Sequence, residues 1–144
     1  MKLQPLRRQD ISSACRIIQQ NYSVRFAKQA RLELLEMFGR SPIKPRYFVA
    51  TIDNKIVGLA GFTQAWMDYS VYEIFWVNVA PAYQKQGIGS ALIRHVINQI
   101  KRKKPRIVLL TTTLPKIYSR EFKFKLLSHL TNGYWLMGSK GLAR

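Results

Sequence analysis

Between Val77 and Ile97 a β-rich run ends at Val79-Ala80-Pro81, passes through Gln84-Lys85-Gln86-Gly87-Ile88-Gly89-Ser90 and enters a segment with apolar residues at helical spacing. A strand, a glycine turn and a helix in that order are suited to holding a phosphate. Glycines at 87 and 89 carry no Cβ to keep a ligand off the backbone, and they tolerate positive φ. Ile88, Ala91, Leu92, Val96 and Ile100 fall on one face of the helix, with Ser90, Arg94, Asn98 and Lys101 largely opposite. The first N–H groups of such a helix have no internal partner, and its dipole favours an anion there. A Gly-x-Gly alone also occurs in ordinary turns; the preceding strand, Gln84 and the long helix are what make this one specific. The second feature is a carboxylate. Of the seven Asp and Glu residues only Glu73 lies in the strand that leads into the turn, between Tyr72 and Ile74. It is a candidate proton acceptor, or else a carboxylate bonded to a neighbouring strand or an arginine.

These groups must be positioned by a mixed α/β framework. A short extended start precedes a helix with Ile11, Ala14, Cys15 and Ile18 on its apolar stripe, which Asp10 can cap. A second helix carries Phe26, Ala30, Leu34, Met37 and Phe38 and stops at Gly39. Pro42 and Pro45 break the chain before a strand over 47–52, a turn at Asp53-Asn54-Lys55, a strand from Ile56 to Trp66 and a third from Val71 to Val79. After the phosphate turn and its helix, Ile107-Val108-Leu109-Leu110 reads as a buried strand, and a strand, a crossover helix and a strand make a parallel pair. A short helix is predicted from Pro115 to near Phe122. The tail reads as a hairpin of 125–130 and 134–140 across Asn132-Gly133. Tyr47, Phe48, Phe62, Trp66, Phe75 and Trp76 are expected mainly in the core, with 66–69 as candidate lining of a substrate pocket.

Composition sets the boundaries. A chain of 144 residues reads as one domain, 1–144, large enough to bury a core without a metal or disulfide staple. Its only cysteine, Cys15, excludes an internal disulfide and suits a reducing compartment. No stretch has signal-peptide or membrane-spanning character, so a cytoplasmic protein without an integral membrane segment is expected. His95 and His129 form neither a triad nor a metal-ligand spacing, and no metal site is expected. The charge is lopsided: 24 Lys and Arg against 7 Asp and Glu give a formal +17. That field attracts anions, and it reads either as a lysine-rich solvated surface or as a sign of an anionic or RNA-associated partner.

Gln84, Gly87 and Gly89, with Val79 and Pro81 upstream, match the Gln/Arg-x-x-Gly-x-Gly/Ala signature of the GNAT N-acetyltransferases, and the order β-α-α-β-β-β-α-β-α-β-β is similar to the GNAT fold. The resemblance implies acetyl-CoA as co-substrate, with contacts from Val77, Asn78, Val79, Gln84, Lys85, Gln86, Gly87, Ile88, Gly89, Ser90 and Thr111. Main-chain groups of 77–79 would pair with the pantetheine arm, and an N–H there would polarise the thioester carbonyl. Glu73, six residues before Val79, stands where members that use an acidic general base carry it. In a regular strand it shares a face with Phe75 and Val77, unless a bulge intervenes. Thr111-x-x-Leu114-x-x-Ile117-Tyr118 resembles the family's Asn-x-x-Ala-x-x-Phe-Tyr pattern, which makes Tyr118 the implied proton donor to the departing thiolate. This second motif departs from the pattern at Thr111 and Leu114, and the Gly-Phe expected after the tyrosine is absent. The implied activity is transfer of an acetyl group to an amine-bearing acceptor: a protein, a small-molecule amine or an aminoacyl-tRNA. A homodimer is compatible with it. The rival reading, supported by the charge and the altered second motif, is a basic RNA-binding or regulatory module that keeps the fold without catalysis.

Overall fold

The computed structural model describes residues 1–140. The elements are β1 (Lys2–Pro5), α1 (Ile11–Asn21), α2 (Val24–Leu35), β2 (Arg46–Ile52), β3 (Lys55–Ala65), β4 (Asp68–Val79), α3 (Ile88–Lys101), β5 (Ile107–Thr112), α4 (Pro115–Phe122), β6 (Lys125–His129) and β7 (Trp135–Ser139). They follow the predicted order. The strands form one mixed sheet, β1-β2-β3-β4-β5-β7-β6, in which only β4 and β5 run parallel. The chain makes the turn from β2 to β3 with Asp53 and Asn54 at φ 51° and 63°, a left-handed pair that Asp and Asn tolerate.

Each face of the sheet carries its own core. On one, Ile88, Leu92, Val96 and Ile100 of α3 and Tyr118 and Phe122 of α4 pack on Phe48, Phe62, Tyr72, Ile74, Val108 and Met137. On the other, Ile11, Ala14, Cys15 and Ile18 of α1 and Ala30 and Leu34 of α2 pack on Tyr47, Val49 and Leu59. The 3.6-residue spacing in α1 and α3 accounts for both contacts. His95 lies edge-on to Phe48 at 4.6 Å, and His129 stacks on Trp135 at 3.7 Å, both in packing roles.

Four local expectations fail, each for a tertiary reason. Asp10 does not cap α1: its carboxylate accepts the Arg7 backbone N–H at 2.8 Å and pairs with the Arg7 guanidinium at 3.1 Å. Ser23 caps α2 instead, accepting the Phe26 N–H at 3.2 Å. Phe26 points outward, 42% exposed, because the buried stripe of α2 runs through Ala27, Ala30 and Leu34. Gly39 is extended, at φ −85° and ψ −168°, since a short 3-10 turn over Glu36–Phe38 ends the helix without a left-handed cap. Trp66, at 73% exposure, sits on the β3–β4 turn outside the core. No helix among the described residues is long and apolar enough to cross a membrane.

Candidate active site at the divergence of two parallel strands

β4 and β5 begin as a parallel pair and then part. Their ladder runs from Val71↔Ile107 to Ile74↔Leu110 and stops. Beyond it β5 continues to Thr112 paired with β7, and β4 continues to Val79 paired only with β3. One edge of residues 75–79 thus faces a gap with main-chain groups that no strand takes up.

A bulge in β4 contributes to this divergence. Between Leu59↔Asn78 and Gly61↔Phe75, two steps on β3 are matched by three on β4, and Trp76 takes φ 51°. The extra residue bends the strand and re-aims the side chains that follow it. A left-handed tryptophan costs about 1–2 kcal/mol. Its indole N–H donates to Glu33 Oε1 at 3.1 Å, which fixes the ring against α2. The bulge also corrects the expected face of β4. Phe75 packs in the α1/α2 core, whereas Val77 and Val79 pack in the α3/α4 core, so Glu73 shares a face with Phe75 but not with Val77.

Gln84 to Ser90 stand at the C-terminal end of β4. Gly87 adopts φ 83°, the left-handed conformation that the helix entry requires and glycine supplies without strain. The first helical hydrogen bond of α3 runs from the Ala91 N–H to the Gly87 carbonyl, so the amides of Ile88, Gly89 and Ser90 have no partner inside the helix. Gly89 requires a different explanation. A Cβ built there would meet only Val79 Cγ2, at an ordinary 3.7 Å. Glycine in a helix costs roughly 0.5–1 kcal/mol relative to alanine, and nothing within the chain demands it here. Close approach of an external group to the backbone does explain it, and three free N–H groups at a helix N-terminus suit a phosphate.

Three of the expected contact residues, Asn78, Gln84 and Ser90, already have side-chain partners. Gln84 Nε2 donates to the Val79 carbonyl at 3.0 Å and to Asn21 Oδ1 at 3.1 Å, while Asn21 Nδ2 donates to the same carbonyl at 2.9 Å and to Asn78 Oδ1 at 3.0 Å. This network ties the end of α1 to the end of β4 and sets the position of the turn. The Ser90 hydroxyl donates to Glu121 Oε2 at 2.9 Å, joining α3 to α4. Lys85 (φ 63°) and Gln86 are exposed in the turn, and Thr111 is exposed near the end of β5, paired with Leu136.

Tyr118 comes from the opposite face to Glu73. Its ring is buried, 6.1 Å from Phe122 and 6.0 Å from Phe124. Burial, and secondarily Tyr22, push its phenol up to about 12. Tyr22 follows α1 as its C-terminal cap residue. The Tyr22 phenol is itself raised, first by burial and then by Tyr134. Glu73 is exposed, opposite Thr63 on β3, and lines a cavity of about 260 Å³ with Glu33, Glu36, Tyr47, Trp66 and Phe75. A larger cavity of about 940 Å³ lies between α1, the β2–β3 turn and residues 80–83, lined by Lys2, Arg16 and Lys55 among others. It contains none of Glu73, Tyr118 or the glycine turn, so its size does not make it the site of reaction.

Comparison with known proteins agrees with this geometry. A family model described as the GNAT acetyltransferase family matches residues 11–123. Among solved structures, a GNAT-family protein from Desulfovibrio desulfuricans superposes with a TM-score of 0.84 at 19% identity, covering 96% of this chain and 98% of that one. A PaiA N-acetyltransferase from Thermoplasma acidophilum, solved in complex with coenzyme A, gives 0.73 at 14% identity over 97% and 99%. The ribosomal-protein-S18-alanine N-acetyltransferase of Escherichia coli gives 0.74 at 18% over 95% and 91%. No curated protein sequence matches the chain. At these identities the solved structures speak for the fold, and the family model, which spans most of the sequence, speaks for more: the chain belongs to the GNAT family of acetyltransferases, enzymes that take the acetyl group from acetyl-CoA.

Proposed function

We propose that the gap between β4 and β5 receives the acetyl-pantetheine arm, with the pyrophosphate on the free amides of Ile88, Gly89 and Ser90, and that the acetyl group passes directly to an amine beside Glu73. The observation that carries this is the pairing of an opened parallel ladder with a helix N-terminus whose Gly89 has no folding rationale. Acetyl-CoA supplies an activated thioester: the amine nitrogen forms a C–N bond to its carbonyl carbon, the C–S bond breaks, and the electron pair leaves on sulfur. The chain's part is to orient, polarise and move protons. Main-chain N–H groups on the open edge of 77–79 point at the developing oxyanion. Glu73, on the cavity side, accepts the proton that the amine loses.

Tyr118 stands on the other side of the opening and donates toward the sulfur. A thiolate whose thiol titrates near 8.5 is a much weaker base than a phenolate whose phenol titrates at about 12, so complete proton transfer from Tyr118 would be uphill by roughly 5 kcal/mol. Tyr118 acts as a hydrogen-bond donor that stabilises the thiolate, and solvent completes the protonation. A phenol held this high stays neutral throughout the working range. The expected kcat profile therefore has no alkaline limb from this residue near pH 10, where an ordinary tyrosine would give one. Linkage has the same sign: the raised value favours the folded state fully below pH 10, and that contribution is lost as pH rises through about 12. Tyr118→Phe should lower kcat by about ten- to a hundredfold while acetyl-CoA binding persists. Turnover equal to the parent would remove Tyr118 from the mechanism.

The whole reaction is tested by incubating the protein with acetyl-CoA and a panel of primary amines, following free thiol and N-acetylated product together. Equal amounts of the two are expected. Thiol release without an N-acetyl product would mean hydrolysis and would contradict direct transfer to an amine.

A further inference from the structure

In a chain with 24 basic and 7 acidic residues, three of the seven carboxylates line one cavity. Glu33 comes from α2, Glu36 from the 3-10 turn after it and Glu73 from β4, and no Lys or Arg among the described residues lines that space. The single salt bridge among the described residues joins Arg7 to Asp10, so none of the three glutamates is paired with a cation among them. Glu33 is nonetheless held in place, with Oε1 accepting the Trp76 indole N–H and Oε2 left over. Like charges gathered without a counter-ion repel one another unless something else supplies the positive charge.

Two independent observations indicate what supplies it. Tyr47 lines the same cavity and is only 1% exposed. Its backbone N–H goes to Met37 Sδ, but its hydroxyl has no hydrogen bond among the described residues. What little of the residue stays accessible opens on the cavity, so the hydroxyl keeps a lone pair for a ligand N–H. Second, no three acidic or His/Cys side chains among the described residues converge closely enough to hold a metal ion. The negative charge is spread along the cavity, which suits a chain of separated ammonium groups. Phe75, stacked on Tyr47 at 5.5 Å, and Trp66 supply apolar walls for the methylenes between them. At about 260 Å³ the space falls just below the roughly 300–1,000 Å³ of sites for drug-sized ligands.

We propose that the acceptor is a small aliphatic di- or polyamine, bound with its reacting amine at Glu73 and a second ammonium between Glu33 and Glu36. This rests on the proposed function in taking the Glu73 side of the β4 bulge as the acceptor side. It departs from the anionic or RNA-associated partner that the net charge suggests, because the local carboxylates at contact distance outweigh surface lysines screened over a Debye length of about 8 Å.

The test compares putrescine, spermidine and butylamine as acceptors for the full-length chain with saturating acetyl-CoA. Putrescine and spermidine should exceed butylamine in kcat/KM by about tenfold or more, mainly through KM. In E33Q/E36Q that preference should shrink to about twofold, with acetyl-CoA still raising the melting temperature as evidence of an intact fold. Equal kcat/KM for butylamine and putrescine in the parent chain would overturn the proposal without needing any variant. So would a preference that survives in E33Q/E36Q, or transfer confined to peptide amines. If acetyl-CoA binds but no aliphatic amine is acetylated, the polyamine assignment fails and the coenzyme A site stands; if acetyl-CoA does not bind, the proposed function fails first.

Discussion

Glu73→Gln should lower kcat for amine acetylation by about a hundred- to ten-thousandfold, or roughly 3–5 kcal/mol of transition-state stabilisation, with little change in the melting temperature. The stability half of this expectation follows from its setting. Glu73 is exposed on β4 and its carboxylate takes part in no salt bridge among the described residues, so the isosteric amide removes a proton acceptor without breaking one. The kinetic half follows from the acceptor. An aliphatic amine with an ordinary pKa near 10.4 is almost wholly protonated at neutral pH and needs somewhere to lose its proton. KM for acetyl-CoA should stay within about twofold, because the residue stands before the bulge and away from the glycine turn. An E73Q enzyme with more than half the parental kcat would show that solvent alone takes the proton.

Gly89→Ala should move stability and binding in opposite directions. In the free protein the added methyl meets only Val79 Cγ2 at 3.7 Å, and alanine favours helix by up to about 0.5–1 kcal/mol, worth a rise of roughly 1–4 °C in Tm. The same methyl stands where a pyrophosphate must approach the amides, and the affinity for acetyl-CoA should fall by about tenfold or more. Few substitutions separate the two effects so cleanly. Gly87→Ala does not, because its φ of 83° makes any side chain strained regardless of ligand. A G89A protein that binds acetyl-CoA as tightly as the parent would move the phosphate site elsewhere.

What the sequence makes legible is local. The α3 stripe, the glycine turn and the β4–α3–β5 crossover follow from periodicity and turn chemistry, which depend on neighbours along the chain. The bulge at Trp76 has no such marker. No glycine or proline announces it, and the Trp76–Glu33 hydrogen bond that holds it spans 43 residues. The face of β4 after Phe75 was therefore unreadable, and with it the separation of Glu73 from Val77. The acidic cavity was hidden for a related reason. The predicted stripe of α2 holds Ala30 and Leu34 but takes Phe26 where packing on the sheet buries Ala27, and no local signal places Glu33 beside Glu73. Asp10 shows that a good capping residue leaves the helix uncapped when a guanidinium lies three residues away.

The central claim is that coenzyme A lies with its pyrophosphate on the α3 N-terminus and its pantetheine arm along the open edge of β4. Amide NMR of the 15N-labelled chain during a titration with coenzyme A tests this most directly. The N–H resonances of Ile88, Gly89 and Ser90, together with those of Val77 and Val79, should shift at saturation, while β1 and β6 at the sheet edges stay in place. Shifts confined to the basic cavity around Lys2, Arg16 and Lys55, with the glycine-turn amides unmoved, would contradict it.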